Sequence, residues 1–173
     1  MLKNKITQIT PALAKQKITI PKNGKWSGDA GNSNFWPNKV PSKSKHNLDD
    51  LQRLVGKDGI KFEKGYPDFT AYRKGHVNVP NMTGEHAKDV SKAAKEFVQN
   101  KQFKNKKAAK DYATKHDLAW HHEPDGKTMS LVPRIVHDNV KHHGGADALR
   151  SAVKAKKAAA RAAKKAAKLK KVP

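Results

Sequence analysis

No cysteine occurs in the 173 residues, which excludes disulfides, thiolate metal sites and cysteine nucleophiles. Any transition-metal site must therefore be built from histidine and carboxylate. Acid is also scarce, with 15 Asp+Glu against 37 Lys+Arg and a formal net charge of +22. Such a field favours a polyanion, nucleic acid first and an anionic membrane or acidic protein second. Long apolar runs are missing, so no membrane span is expected. The opening residues, MLKNKITQITPALAKQKITI, lack the continuous apolar stretch of a signal peptide. Hydrophobic residues make up 36% and aromatics 6%, enough for a small core only. The length fits one domain with an appendage.

Residues 1–22 read as a basic lead-in with a strand at Lys17–Ile20. Residues 23–47 carry Gly24, Gly28, Gly31, Asn32, Ser33, Asn34, Pro37 and Pro41, which leave little room for a regular element. Trp26, Phe35 and Trp36 inside this loop are expected to plug it onto the core. Asn47 caps a helix with apolar positions Leu48, Leu51, Leu54 and Val55, ended by Gly56. Short β-type runs follow at Ile60–Phe62, Tyr66–Tyr72 and His76–Val79, broken by Gly65, Pro67 and Pro80. From Thr83 the period turns helical, with Ala87, Val90, Ala94, Phe97 and Val98 as the apolar stripe. A second helix fits Lys106–His116, capped by Asn105, and the two should pack as a hairpin. Residues 118–143 read strand, turn, strand, helix, with Gly144–Gly145 as the helix stop. Ser151–Pro173 has nine Ala, nine Lys+Arg and no acid; it reads as a solvated helix. The body is basic without it.

Five of the nine histidines lie between Trp120 and Gly145. Histidine is the commonest metal ligand and general base near neutral pH, so this clustering marks a candidate site. His121 and His122 sit on a strand, where neighbours point to opposite faces. They cannot easily serve one ion together, but can serve one site in different roles, ligand and base. His137 then arrives from the following helix. His137 and His142 are five residues apart, about 140° around an ideal helix, so His142 can join only if the helix tightens or ends near Gly144. His143 is expected to contact phosphate or solvent.

The string Trp120-His121-His122-Glu123-Pro124-Asp125-Gly126, with Leu131-Val132-Pro133, His137, His142-His143 and Gly144-Gly145, resembles the WHH group of HNH endonucleases. These are ββα-metal (His-Me finger) nucleases found as toxin modules of bacterial polymorphic toxins and related to the colicin DNases. Gly24–Gly28, Gly31–Ser33 and Gly65–Phe69 resemble further segments of such domains. The resemblance covers roughly residues 23–150. It implies an α+β fold with a nuclease domain at 23–150, a ββα-metal unit at 118–145 and a basic Ala/Lys helical tail at 151–173. It implies that His121 binds a divalent ion (Mg, Zn, Ni or Mn), that His122 is the general base, and that His137 and His142 complete the shell. His121 thereby also belongs to the catalytic set. Lys127, Arg134, Lys141, His143, Arg150, Lys154 and Lys157 are expected to contact nucleic-acid phosphate. One departure stands out: the asparagine that names the HNH motif should fall near Ser130, and the nearest asparagine is Asn139. Asp68 is expected as a turn residue or, alternatively, as a partner behind a ligand histidine.

The implied function is a metal-dependent, largely sequence-nonspecific DNA endonuclease acting as an antibacterial toxin. It would be made in the bacterial cytoplasm, exported by a dedicated secretion system and held in check by an acidic immunity protein. The rival is a non-enzymatic nucleic-acid-compacting protein with a structural metal. That reading accounts for tail and charge but not for the histidines.

Overall fold

Side-chain chemistry sets where the helices begin and end. A computed structural model describes residues 19–142 and 144–169; the expected strand at Lys17–Ile20 lies half outside them, and Thr19 and Ile20 belong to no regular element. Helix α1 (Leu48–Val55) opens where Asn47 accepts the Asp50 N–H at 2.8 Å and closes at Gly56. Leu51 and Val55 are buried, whereas Leu54, expected on the apolar stripe, is 39% exposed. Helix α2 spans His86–Gln99 and helix α3 Lys106–Lys115, the latter capped by Asn105, which accepts the Ala108 N–H at 2.8 Å. On α2 the buried face is Asp89, Val90, Ala93, Ala94 and Phe97, while Ala87 is exposed. The face is rotated from the expected one because the loop entering α2 leaves N–H groups that Asp89 turns inward to accept.

Residues 23–47 form more regular structure than their glycine content suggests. Strands β1 (Gly24–Trp26) and β2 (Asn34–Pro37) pair antiparallel with Trp26 opposite Phe35. The turn formers concentrate between the strands, and the aromatics fall where cross-strand packing uses them. Trp26 lies 4.9 Å from both Phe35 and Phe62, ring centre to ring centre. The aromatics do plug this segment onto the core. Strand β2 pairs β3 (Ile60–Glu63), which pairs β4 (Tyr66–Pro67). A second antiparallel sheet has the order β5 (Gly75–Asn78), β7 (Thr128–Pro133), β6 (Leu118–His122). Among the described residues the architecture is α+β, with small antiparallel sheets and five helices.

The second sheet divides two apolar cores. Leu118, Met129 and Leu131, with Trp120 packed beside them, join Val90, Phe97, Ala109 and Ala113 of the α2–α3 hairpin. Val132 faces the other way, into a core with Phe35, Phe62, Phe69, Leu51, Val136 and Val140. The register pairs Trp120 with Leu131 and His122 with Met129, but Ala119 with Val132 and His121 with Ser130. Strand alternation thus sends His122 toward α2 and His121 toward the opposite core.

Helix α4 is short, Arg134–His137. The helix expected to run to Gly144–Gly145 ends before it. Asn139 Nδ2 donates to the Ile135 carbonyl at 2.9 Å, the acceptor its own N–H would take if the helix continued. Gly145 instead begins α5 (Gly145–Leu169), which runs through position 150 without a break. Among the described residues no helix is long and apolar enough to cross a membrane. The first turns of α5 seat on the loop before α2. Gly84 has φ 80°, and a Cβ there would stand 2.3 Å from the Ala146 carbonyl oxygen. Gly84→Ala combines a left-handed backbone with a clash against main chain, and should cost about 2–4 kcal/mol. Urea unfolding of the two chains measures it; a loss under 0.5 kcal/mol would contradict this packing.

Candidate metal centre and base

Three elements deliver three imidazoles to one place. His121 comes from the end of β6, His137 from the last turn of α4, and His142 from the segment between α4 and α5. Each offers a ring nitrogen, and these atoms lie within 4.8 Å of one another. The ring centres are 5.1–5.4 Å apart, mutually edge-on. Phe69, fully buried, backs all three at 5.1 Å from His121, 6.3 Å from His137 and 5.3 Å from His142. The early end of α4 is what admits His142: it is not on the helix, so the unfavourable helical angle does not arise.

The hydrogen bonds of the rings suit metal ligation. His137 Nδ1 lies 2.8 Å from Asp138 Oδ1, and His142 Nδ1 lies 2.7 Å from the Val140 carbonyl oxygen. Both partners only accept, so each Nδ1 carries the proton and Nε2 keeps the lone pair. A metal-bound histidine commonly donates its second N–H in this way. His121 is 3% exposed, and its Nε2 is buried without a hydrogen-bond partner. Such an orphan costs on the order of 1–3 kcal/mol unless something satisfies it. Burial above all, then the nearby His142, His137 and His122, hold the His121 pKa well below its ordinary 6.5. A neutral imidazole is the form a cation requires. The donor set, the orphaned nitrogen and the clustering together fit a divalent ion.

His122 sits on the other face of β6, 4% exposed, with Nε2 3.1 Å from Asp89 Oδ2. The carboxylate can only accept, so Nε2 carries the proton and Nδ1 is the basic nitrogen. Asp89 is fully buried and also accepts N–H bonds from Thr83 at 3.1 Å and from Gly84 at 2.7 Å. Burial lowers the His122 pKa; Asp89 opposes that and Arg150 adds to it. His86, in the first turn of α2, has its ring 6.0 Å from that of His122. Its pKa is lowered by burial and then by His122 and His137.

Asp89 and His86 have no place in the reading of the sequence. A signal for Asp89 was present: it stands four residues before Ala93 and beside Val90, at helical spacing on the buried face, whereas His86 is exposed in the first turn. Ser130, where the motif's asparagine was sought, pairs across from His121 rather than His122, and its hydroxyl donates to Glu123 Oε1 at 2.6 Å. Asn139 bonds Ile135 and His46. Glu123 Oε2 lies 3.9 Å from His121 Nε2, and burial raises its pKa. Asp68 is exposed and accepts the Thr70 N–H at 2.9 Å in a local turn; the carboxylate bonded to a histidine of the cluster is Asp138, at His137.

The expected phosphate contacts fall in several places. Lys127 is exposed in the β6–β7 turn, and Lys141 is exposed beside His142. Arg134 is half-buried and pairs with Asp138 at 3.2 Å. Arg150 donates to the Gly84 carbonyl at 2.7 Å and pairs with Asp147. Lys154 and Lys157 are exposed on α5. His143 lies outside the described residues.

The strand pair, the short helix and three converging histidines define an α+β domain able to hold a divalent cation beside a histidine–carboxylate pair. Residues 59–144 match the family model described as the DNase/tRNase domain of colicin-like bacteriocin. The similarity to colicin-type nucleases is thereby borne out, and it supports a nuclease toxin function. No curated protein matches the chain.

Asp89 also sets an acid limit on stability. Burial raises its pKa, but the His122 hydrogen bond and the Thr83 and Gly84 N–H groups outweigh that and leave it below the ordinary 3.8. A depressed carboxylate stabilises the fold above its unfolded pKa and stops doing so as pH falls through the folded one. Asp89→Asn should lose about 1–3 kcal/mol at pH 7 and show a flatter fall in Tm below about pH 4. Parallel acid limbs in the two Tm profiles would contradict this.

Proposed function

We propose that this chain is a metal-dependent, largely sequence-nonspecific DNA endonuclease of the HNH, ββα-metal type, acting as an antibacterial toxin. The observation that carries the reading is the meeting of His121, His137 and His142 next to a buried His122–Asp89 pair. His121, His137 and His142 would hold one divalent ion, with zinc, nickel, manganese and magnesium all candidates. When bound, the ion supplies Lewis acidity at the scissile phosphate and the leaving oxygen.

The residues of the chain do the rest. His122 takes a proton at Nδ1 from the attacking water as the new P–O bond forms and the bond to the 3′ oxygen breaks. Asp89 keeps Nε2 protonated and offsets the charge of the imidazolium that results. Lys127, Lys141, Arg150 and the cations of α5 hold the phosphate backbone, contacts that carry no sequence information. A +22 chain that cleaves DNA needs neutralising where it is made, and an acidic immunity protein over the basic face fits that need. Export as a toxin follows from the same reading.

Supercoiled plasmid tests the proposal. Full-length protein with Mg²⁺, Mn²⁺, Ni²⁺ or Zn²⁺ should nick and linearise it, EDTA should stop cleavage, and His122→Ala should slow it about 10²–10⁴-fold. Retardation of the plasmid without nicking under every metal would instead support the compacting protein. Cleavage unchanged in His122→Ala would remove that residue as the base. A parallel transfer-RNA substrate decides between DNA and RNA.

A further inference from the structure

The family match ends at residue 144, and α5 begins at residue 145. Between Arg150 and Lys164 the helix has six cations: Arg150, Lys154, Lys156, Lys157, Arg161 and Lys164. Five of them follow one another at intervals of four, three, four and three residues. At about 100° per residue, that spacing puts Arg150, Lys154, Lys157, Arg161 and Lys164 within a stripe about 80° wide. Lys156 alone lies off it, about 120° away from the stripe's centre. All six are exposed. A merely solubilising helix would spread its lysines around the axis. Here like charges stack at i, i+3 and i, i+4, which disfavours the helix by itself, so the stripe calls for an anion that relieves it.

The stripe also has a fixed starting point. Leu149 packs against the α2–α3 core, and a Cβ on Gly145 would meet the Glu123 and His122 carbonyl oxygens at 2.3 and 2.8 Å. Arg150 donates to Gly84, whose N–H in turn holds Asp89 behind His122. The first cation of the stripe therefore stands at the proposed base, and the others lead away over about 21 Å. Asp147, the one acid of α5, pairs with Arg150 at the site end. An anionic membrane fits this helix poorly: past Arg150 its apolar residues up to Lys164 are Val153 and alanines, with no bulky apolar face to bury in lipid.

We infer that α5 is a cationic rail on which the backbone of duplex DNA lies, leading one strand to His122. The choice of DNA rests on the nuclease reading, but the rail itself binds without turnover. Its test is the binding of a fluorescently labelled 25-base-pair duplex to full-length protein in EDTA, measured by anisotropy at several salt concentrations. Replacing Lys154, Lys157, Arg161 and Lys164 together by Gln keeps helix-forming side chains; circular dichroism and Tm verify the fold. The slope of log K against log[salt] should become shallower by about 3–4, near 0.9 per lost phosphate contact. Lys157→Gln should shift it by about 0.9 and the neighbouring Lys156→Gln by little. An unchanged slope in the fourfold variant, or equal shifts for Lys156→Gln and Lys157→Gln, overturns the rail. Vesicles containing phosphatidylserine form the second arm: binding to them that is lost in the fourfold variant, with the DNA slope unchanged, assigns the stripe to membrane instead. A protein that shows the slope change but never cleaves plasmid keeps the rail and loses the nuclease reading.

Discussion

In the antiparallel pair of β6 and β7 every residue has a side, and the two sides are different cores. Leu118, Trp120 and His122 face the α2–α3 hairpin; Ala119 and His121 face Phe69, α1 and α4. Slipping the register by one residue would exchange the two histidines and expose both apolar faces to the wrong partners. The apolar residues on each side therefore lock the chemistry in place. The proposed base and the proposed metal ligand can sit next to each other in sequence because the sheet separates their surroundings. One is bonded to a buried carboxylate, and the other has a nitrogen that nothing in the protein satisfies.

Around each ring the same logic repeats. Asp138 and the Val140 carbonyl orient His137 and His142 through Nδ1, and Asp89 orients His122 through Nε2. Asp138 is itself paired with Arg134, while Asp89 rests on the Thr83 and Gly84 amides. Phe69 packs against all three rings of the histidine cluster. The loop at Gly84 links this arrangement to α5, which makes the long helix continuous with the site rather than a detached tail.

Much of this was legible in the residues. The Asn47 and Asn105 caps, the strand–turn–strand run from Leu118 and the opposed directions of His121 and His122 all rest on local rules, and local rules were sufficient. What failed depended on distant partners. On α2, Val90, Ala94 and Phe97 are buried as their spacing predicts, but Ala87 is exposed and Asp89, a polar residue outside the apolar pattern, turns inward to the loop amides. The segment at 23–47 looked too rich in glycine for strands, yet β2 is held by β3, some 25 residues on. Near the end of α4 the Asn139 side chain donates to the Ile135 carbonyl, while the Val140 N–H still bonds the Val136 carbonyl. Gly144–Gly145 has the pattern of a helix stop, but the second glycine starts α5, at a place where a Cβ would stand 2.3 and 2.8 Å from the Glu123 and His122 carbonyl oxygens.

On the proposed reading, three imidazoles from three elements share one ion. Calorimetric titration of the metal-free full-length protein with Zn²⁺, repeated with Co²⁺ while its visible absorption is followed, tests this most directly. One ion should bind per chain, with affinity lowered by at least about 10²-fold in His121→Ala, His137→Ala and His142→Ala, and binding retained in His122→Ala. Binding that survives loss of all three histidines, or that His122→Ala abolishes as fully as His121→Ala does, would contradict it.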